Sequence, residues 1–257
     1  MMLQTARQIV GRARRLVVIS GAGMSADSGI ATFRGTGSDG GWDKAALALA
    51  TPEGFRADPQ RVWHRYLQRR LVALAAQPHA GYLALAAWEQ QAQVTIITQN
   101  VDGLHSRAGS SRVVELHGSL FRFYCAEQGH PVTGVDREET VPRCPICNGY
   151  VRPAVVWFGE WLPEAALQAA QEALYEAEAV LLVGTSLEVS SPRSLLKAAA
   201  HRQIPIIEVN PEPALPRAGD PGSETGDHDI PHATATVAGT AAAMLPRLFS
   251  LEETALP

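Results

Sequence analysis

Four short β-branched runs punctuate the chain, each ending at a glycine or a polar cluster. They are LVVIS (Leu16 to Ser20), VTIIT (Val94 to Thr98), AVLLVG (Ala179 to Gly184) and IPIIEVN (Ile204 to Asn210). Alanine- and leucine-rich stretches with helical character lie between them, notably Pro163 to Ala177 and Ser191 to Ala200. Runs that are apolar at nearly every position suit strands buried on both faces. Their alternation with helices predicts an α/β fold built on a parallel, Rossmann-like sheet. Ligands of such sheets bind beyond the carboxyl ends of the strands. Here SGAGMS, TQNVDG, GTS and NPE follow the four runs in turn, so all four are expected to deliver polar groups to one edge.

Two segments break the alternation. Residues 36–78 are helical without a strand, and residues 121–154 carry cysteines, prolines and glycines suited to a small irregular module of zinc-ribbon type. Both read as insertions that form a smaller domain. The sheet domain then comprises residues 1–35, 79–120 and 155–257. In the first insertion Asp58 is expected to cap a helix that opens on Pro59. Helical spacing predicts a core stripe of Trp63, Leu67, Leu71 and Leu74. Tyr66 and Arg69 fall side by side on its flank. Arg61, Arg65 and Arg70 read as solvated surface. The stretch from Pro211 to His232, rich in Pro, Gly, Asp and Ser, reads as a long surface loop.

Composition narrows the function classes. The 257 residues are 46% hydrophobic and 19% charged, which describes a globular chain with a sizeable core. A net charge of -4 gives no electrostatic case for nucleic-acid or anionic-membrane binding. No apolar run approaches the roughly 18 residues of a membrane span, and MMLQTARQIV lacks a secretory apolar region. A cytoplasmic protein is expected. Two of the three cysteines form CPIC, Cys144 to Cys147, a spacing for metal binding or redox chemistry in a reducing compartment.

GAGMSADSG (Gly21 to Gly29) follows the first strand, and Gly21 and Gly23 allow the backbone to approach a pyrophosphate. The acidic residue that ends the second strand of an ordinary dehydrogenase is missing. In order and spacing, GAGMSADSGIATFRG, TQNVDGLH, ELHGS, VVWFGE, GTS and EVNPE resemble the sirtuins, the NAD-dependent protein-lysine deacylases. The resemblance runs from about Arg14 to Leu248, and the pairing of TQNVDGLH with ELHG is its most specific part. It implies transfer of an acyl group from lysine to the ADP-ribose part of NAD, with loss of nicotinamide. His117 matches the catalytic histidine of that family. An imidazole suits a general base because its ordinary pKa of about 6.5 leaves much of it neutral at cell pH.

The same resemblance assigns Asn100 and Asp102 to the nicotinamide ribose and carboxamide, and Gln99 to a ribose hydroxyl near His117. Phe33 and Arg34 are expected to cover the departing nicotinamide. Gly21, Ala22, Gly23 and Ser25 form the first cofactor turn. Gly184, Thr185 and Ser186 follow the third strand, and Asn210 and Glu212 reach the adenosine ribose. Val156, Trp157, Phe158 and Gly159 match the segment that pairs with the substrate peptide as an added strand. Partners are thus acylated lysine peptides and proteins; the oligomeric state is open.

Sirtuins usually hold structural zinc through two Cys-x-x-Cys pairs. Here Cys144 and Cys147 form one pair, but Gln128 replaces the second cysteine of the other, leaving Cys125 alone. Zinc held by Cys125, His130, Cys144 and Cys147 is one outcome; a module without metal, held by packing, is the other. The Tyr66-x-x-Arg69 pattern resembles class III sirtuins, which remove succinyl, malonyl or glutaryl groups. Arg supplies a fork and Tyr a hydroxyl donor for the acyl carboxylate. Ala46 lies near a position where a small residue widens the pocket. A plain deacetylase, a mono-ADP-ribosyltransferase and a non-catalytic NAD-binding module are the competing functions.

Overall fold

The computed structural model describes residues 2–32, 47–136, 138–188, 190–216 and 231–249. Phe33, Arg34 and Ala46 lie outside these, as do residues 217–230 of the expected surface loop. Among the described residues a six-stranded parallel sheet has the order β3-β2-β1-β7-β8-β9. Its strands are β1 (Arg15–Ser20), β2 (Gln93–Thr98), β3 (Val113–Glu115), β7 (Ala179–Val183), β8 (Ile206–Asn210) and β9 (Ala235–Ala238). The four apolar runs become its central strands. β3 and β9 were not expected from the pattern: they have three and four residues, too short for a periodic signal.

Alternate side chains of each strand feed opposite cores. Leu16 and Val18 of β1 pack with α1 (Met2–Arg12), α4 (Ala80–Trp88) and α8 (Ala241–Leu248). Val17 and Ile19 pack with α6 (Glu164–Glu176) and α7 (Ser190–His201) on the other face. This double coverage is what makes the strands apolar throughout.

A second sheet is antiparallel, with order β5-β4-β6: β4 (Gly118–Cys125), β5 (Pro131–Val132) and β6 (Val151–Val155). The cysteine segment is therefore more regular than expected, and β4 and β6 run across the boundaries drawn at 120/121 and 154/155. Its core joins α2 (Pro52–Ala57) and α3 (Pro59–Ala75) through Phe55, Val62, Trp63, Tyr66 and Ala73. Asp58 caps α3 as expected, its carboxylate accepting from Arg61 N at 2.9 Å.

The buried face of α3 differs from the expected stripe. Val62, Trp63, Tyr66, Leu67 and Ala73 are buried, whereas Leu74 is 40% exposed. Arg70 is not solvated surface: its guanidinium lies 5.1 Å from the Phe123 ring centroid and donates to the carbonyls of Val135 and Asp136. Trp63 Nε1 donates to Glu138 O, and Gln60 bonds Glu139 O and Val141 N. These contacts turn the helix towards β4 and carry Tyr66 into the core.

Gly118 marks the passage into the second sheet. Its φ is +79°, and a Cβ there would sit 1.9 Å from the Ala154 carbonyl oxygen. Gly129 has a similar φ, +69°, with nothing within 4 Å. Gly118→Ala should therefore cost about 3 kcal/mol or more, and Gly129→Ala only about 1–2 kcal/mol. Urea denaturation of the two variants checks this difference.

Candidate functional site

The first cofactor turn is built by backbone-to-backbone contact. Gly21 N donates to Val183 O at 3.0 Å, and Gly23 N donates to Gly184 O at 2.8 Å. A Cβ on Gly23 would lie 2.9 Å from Gly184 Cα, and one on Gly184 only 2.3 Å from Met24 N. The glycines thus serve the meeting of two loops at least as much as an approach to phosphate. The turn continues as short 3-10 helices, Ala22–Met24 and Ala26–Ser28.

Ser25, only 1% exposed, is the centre of a polar network under this turn. Its hydroxyl donates to Asp102 Oδ2 at 2.7 Å and accepts from Asn100 Nδ2 at 2.9 Å; Tyr82 OH lies at 2.8 Å. One donor and two acceptor positions are all a serine has, so the hydroxyl is saturated if Tyr82 donates. Asp102 Oδ1 accepts from Leu104 N at the start of α5 (Leu104–Arg107), and Asn100 Nδ2 also donates to Gly21 O. Gln99 donates to Thr185 Oγ1 at 3.2 Å, and Asn210 donates to Thr185 O at 3.0 Å. Ser186 and Glu212 are exposed at the same edge.

His117 follows β3 and is half-buried. Burial pushes its pKa below the ordinary imidazole value, partly offset by a hydrogen bond to the Gln99 main chain. Its carbonyl accepts from Val156 N at 2.9 Å, which ties the histidine loop to the 156–160 segment. That segment is not a strand: β6 ends at Val155, and the N–H groups of Val156, Trp157, Phe158 and Glu160 donate within the chain. Trp157 is buried and Phe158 exposed.

Tyr66 is 4% exposed, deeper than the boundary position expected of it. Burial pushes its phenol above the ordinary value, against the pull of the Arg69 guanidinium, which lies 5.8 Å from the Tyr66 ring centroid. Burial likewise lowers Arg69, opposed by Tyr66 and by Asp102. Arg69 therefore feels the carboxylate at the centre of the cofactor edge.

Cys125, His130, Cys144 and Cys147 bring their ligand atoms within 4.8 Å of one another, while Gln128 is exposed. Cys125 Sγ and Cys147 Sγ are 3.3 Å apart, and Cys144 Sγ is 3.6 Å from His130 Nδ1. Tetrahedral zinc with bonds of about 2.0–2.3 Å sets its ligands about 3.5–3.8 Å apart, so the donor set fits a Cys3His zinc site. Of the two outcomes the sequence left open, the geometry favours the metal-competent one.

Sequence reasoning missed Tyr82, Ser20, His105 and Glu208. Ser20 Oγ donates to Thr98 Oγ1 at 2.9 Å, so His105 Nε2, also 2.9 Å from Ser20 Oγ, carries the hydrogen. Burial and the nearby His79 push the His105 pKa down to about 3. Glu208 is fully buried and accepts from Ala214 N and Leu215 N. Ser20, His105 and Glu208 stand inside SGAGMS, TQNVDGLH and EVNPE, but those motifs assigned them no role; Tyr82 belongs to no quoted motif and lies on a helix that reads as ordinary core.

A family model described as the Sir2 family matches residues 21–191. The chain is 44% identical over 206 residues to an NAD-dependent protein deacylase of Mycobacterium tuberculosis, covering 77% of this chain and 86% of that one. It is 41% identical over 244 residues to NAD-dependent protein deacylase 2 of Pyrobaculum aerophilum, covering 93% and 92%. A solved complex of a Sir2 homologue with NAD superposes with a TM-score of 0.83 at 33% identity, over 96% of this chain and 93% of the other. A Sir2 structure with a p53 peptide and NAD+ gives 0.80 at 27% identity, over 98% of each.

Two predictions follow from the site's own chemistry. Metal analysis should find one zinc per chain in the parent and in Gln128→Ala, and none in His130→Ala. His105 has a depressed folded pKa, so the unfolded chain binds more protons between about pH 6.5 and 3. Its stabilising contribution is full above the unfolded pKa and declines as pH falls through that window. Thermal midpoints taken from pH 7 to 4 should fall less steeply for His105→Gln than for the parent.

Proposed function

The chain belongs to the Sir2 family and is an NAD-dependent protein deacylase, and we propose that it prefers lysines carrying short acyl groups that end in a carboxylate. The observation that carries this preference is the pairing of a buried phenol with a buried-side guanidinium, Tyr66 and Arg69, on one face of α3. A raised pKa keeps the Tyr66 hydroxyl protonated, hence a donor. Arg69 adds charge and a second set of donors. A carboxylate brought into an apolar tunnel without such partners would lose hydration with nothing in return.

The cofactor side is consistent with NAD. Main chain forms the floor where Gly21, Gly23 and Gly184 meet, and Gln99, Asn100, Asp102, Thr185, Ser186, Asn210 and Glu212 offer amides, hydroxyls and carboxylates along one edge. These groups suit a ribose, a pyrophosphate and a carboxamide. NAD supplies the electrophilic ribose carbon that accepts the acyl oxygen. His117, neutral over a wider range than an exposed imidazole, takes a proton from a ribose hydroxyl. Asn100 and Asp102 are held in fixed orientation by Ser25, so no rearrangement of their side chains precedes binding.

The acyl-lysine peptide would lie between the parallel-sheet domain and the smaller domain made by residues 36–78 and 121–154. Four N–H groups of residues 156–160 already donate internally, so pairing with a peptide draws on the carbonyl of Val156 and the Gly159 N–H. A solved Sir2 structure described as holding a p53 peptide and NAD+ supports peptide as the substrate form.

The test is NAD-dependent release from succinyl- and acetyl-lysine peptides of one sequence. His117→Ala should lower both activities by 100-fold or more. Arg69→Met should lower desuccinylation at least tenfold while leaving deacetylation within about threefold. An unchanged succinyl-to-acetyl ratio in Arg69→Met would overturn the acyl preference. Nicotinamide release with ADP-ribose appearing on protein, and no deacylation, would instead support the ADP-ribosyltransferase.

A further inference from the structure

Against Trp157 sits a largely buried ion pair to which the reaction assigns no part. Arg152, 4% exposed, lies on β6. Its Nη1 and Nη2 donate to the two Glu160 carboxylate oxygens at 2.5 and 3.0 Å. Nη2 also donates to Val155 O at 2.7 Å. The guanidinium carbon lies 3.2 Å from the Trp157 ring centroid, and Glu160 Oε2 accepts from Trp157 N at 2.8 Å. Arg152 and Glu160 therefore grip both the main chain and the ring of Trp157. That ring in turn packs on Phe55 at 5.3 Å and Tyr66 at 6.1 Å between centroids.

We propose that Arg152 and Glu160 form a clamp that sets the Trp157 ring and the 156–159 main chain for acyl-lysine. They are positioning residues, acting through Trp157 and Tyr66. This deepens the reading of the same site as a deacylase and rests on it. The geometry excludes a merely decorative pair. A lone surface ion pair would be exposed, monodentate and free of the backbone; in this one Arg152 is buried and Glu160 half-buried, and the pair is bidentate and bonded to the main chain at Val155 and Trp157. A guanidinium carbon 3.2 Å from the ring centroid also places a planar cation over the indole, a contact that an ammonium does not reproduce. The Arg152 charge reaches Tyr66 as well, where it opposes the rise that burial imposes on the phenol. Among the described residues, Gln99, Asn100 and Asp102 hydrogen-bond to Thr185, Gly21, Ser25 and Leu104 and not to Arg152 or Glu160. Loss of the clamp should consequently be felt by the peptide and not by NAD.

Steady-state kinetics on the full chain test this, with peptide and NAD varied separately and ADP-ribose binding measured by calorimetry. Glu160→Gln keeps an acceptor for Trp157 N but loses the charge; Arg152→Lys keeps the charge but loses the fork and the stack. Both should raise KM for the acyl peptide about tenfold, with KM for NAD, ADP-ribose affinity and kcat at saturating peptide within about twofold. Glu160→Asp, which retains the charge, should recover part of the loss. Equal weakening of peptide and ADP-ribose binding would reduce the pair to a folding element and overturn the proposal. So would variants with unchanged peptide KM in an active enzyme. Should either charge variant fail to fold, the other one, measured beside Glu160→Asp, must show the same split or the clamp is refuted. A wild type inactive on every acylated peptide would overturn the deacylase reading itself, a result distinct from all of these.

Discussion

Gly21 and Gly23 press against Gly184 at the point where the parallel sheet changes direction. From β1 the order runs outwards to β2 and β3 on one side and to β7, β8 and β9 on the other. Two loops leave the sheet there to opposite faces, which opens a crevice at the carboxyl edge. The crevice can exist only if the loops diverge after touching, and they touch through backbone atoms too close for any Cβ. Everything polar above the sheet takes its place from this contact. Asn100 bonds Gly21 O, Gln99 bonds Thr185, and Asn210 bonds Thr185 O. A side chain at Gly23 would separate the loops and detach three strand ends together.

The same constraint explains how far the sequence could be read. Central strands buried on both faces must be apolar throughout, and loops that converge must carry glycine and short polar residues; both leave local marks. The residues that hold the arrangement from below leave less: Ser20 and His105 stand inside SGAGMS and TQNVDGLH, but neither motif tells what they bond. Tyr82 is a buried residue of α4, and only the structure reveals that its hydroxyl meets Ser25. His105 looks like any histidine after a glycine turn, until Ser20 and Thr98 come beside it from two adjacent strands. Short edge strands such as β3 and β9 are defined by their neighbours' hydrogen bonds, not by a period of their own.

Helix α3 illustrates a different limit. An apolar stripe assumes that a helix buries its hydrophobic side, yet this one also buries an arginine and bonds its partner through polar atoms. Gln60, Trp63 and Arg70 reach the main-chain carbonyls of Val135, Asp136, Glu138 and Glu139. The module between Cys125 and Cys147 needs donors, so the helix face turned to it is amphipathic instead of purely apolar. That rotation sends Tyr66 inwards and leaves Leu74 outside. Substitution of Gln128 for a cysteine was similarly misleading by itself, because His130 lies five residues after Cys125, and the β-turn there returns it to the sulfur atoms.

The acyl pocket and the cofactor edge are linked by charge as well as by packing. Asp102 is fixed by Ser25 and Leu104 N, so its carboxylate cannot swing towards a new partner. Arg69 nevertheless feels it, and Tyr66 feels both Arg69 and Arg152. Among the described residues, the charge of Arg69 is favoured by Tyr66 and Asp102 and opposed by Arg65. An acyl carboxylate adds a mobile counter-charge that can approach the guanidinium closely, while the phenol donates to its other oxygen. Under the proposed acidic acyl preference, a charge at the acyl terminus would be felt strongly, because buried charges interact strongly and reorganise little. On that reading the hydroxyl of Ser25, by fixing Asp102, bears on both ends of the site.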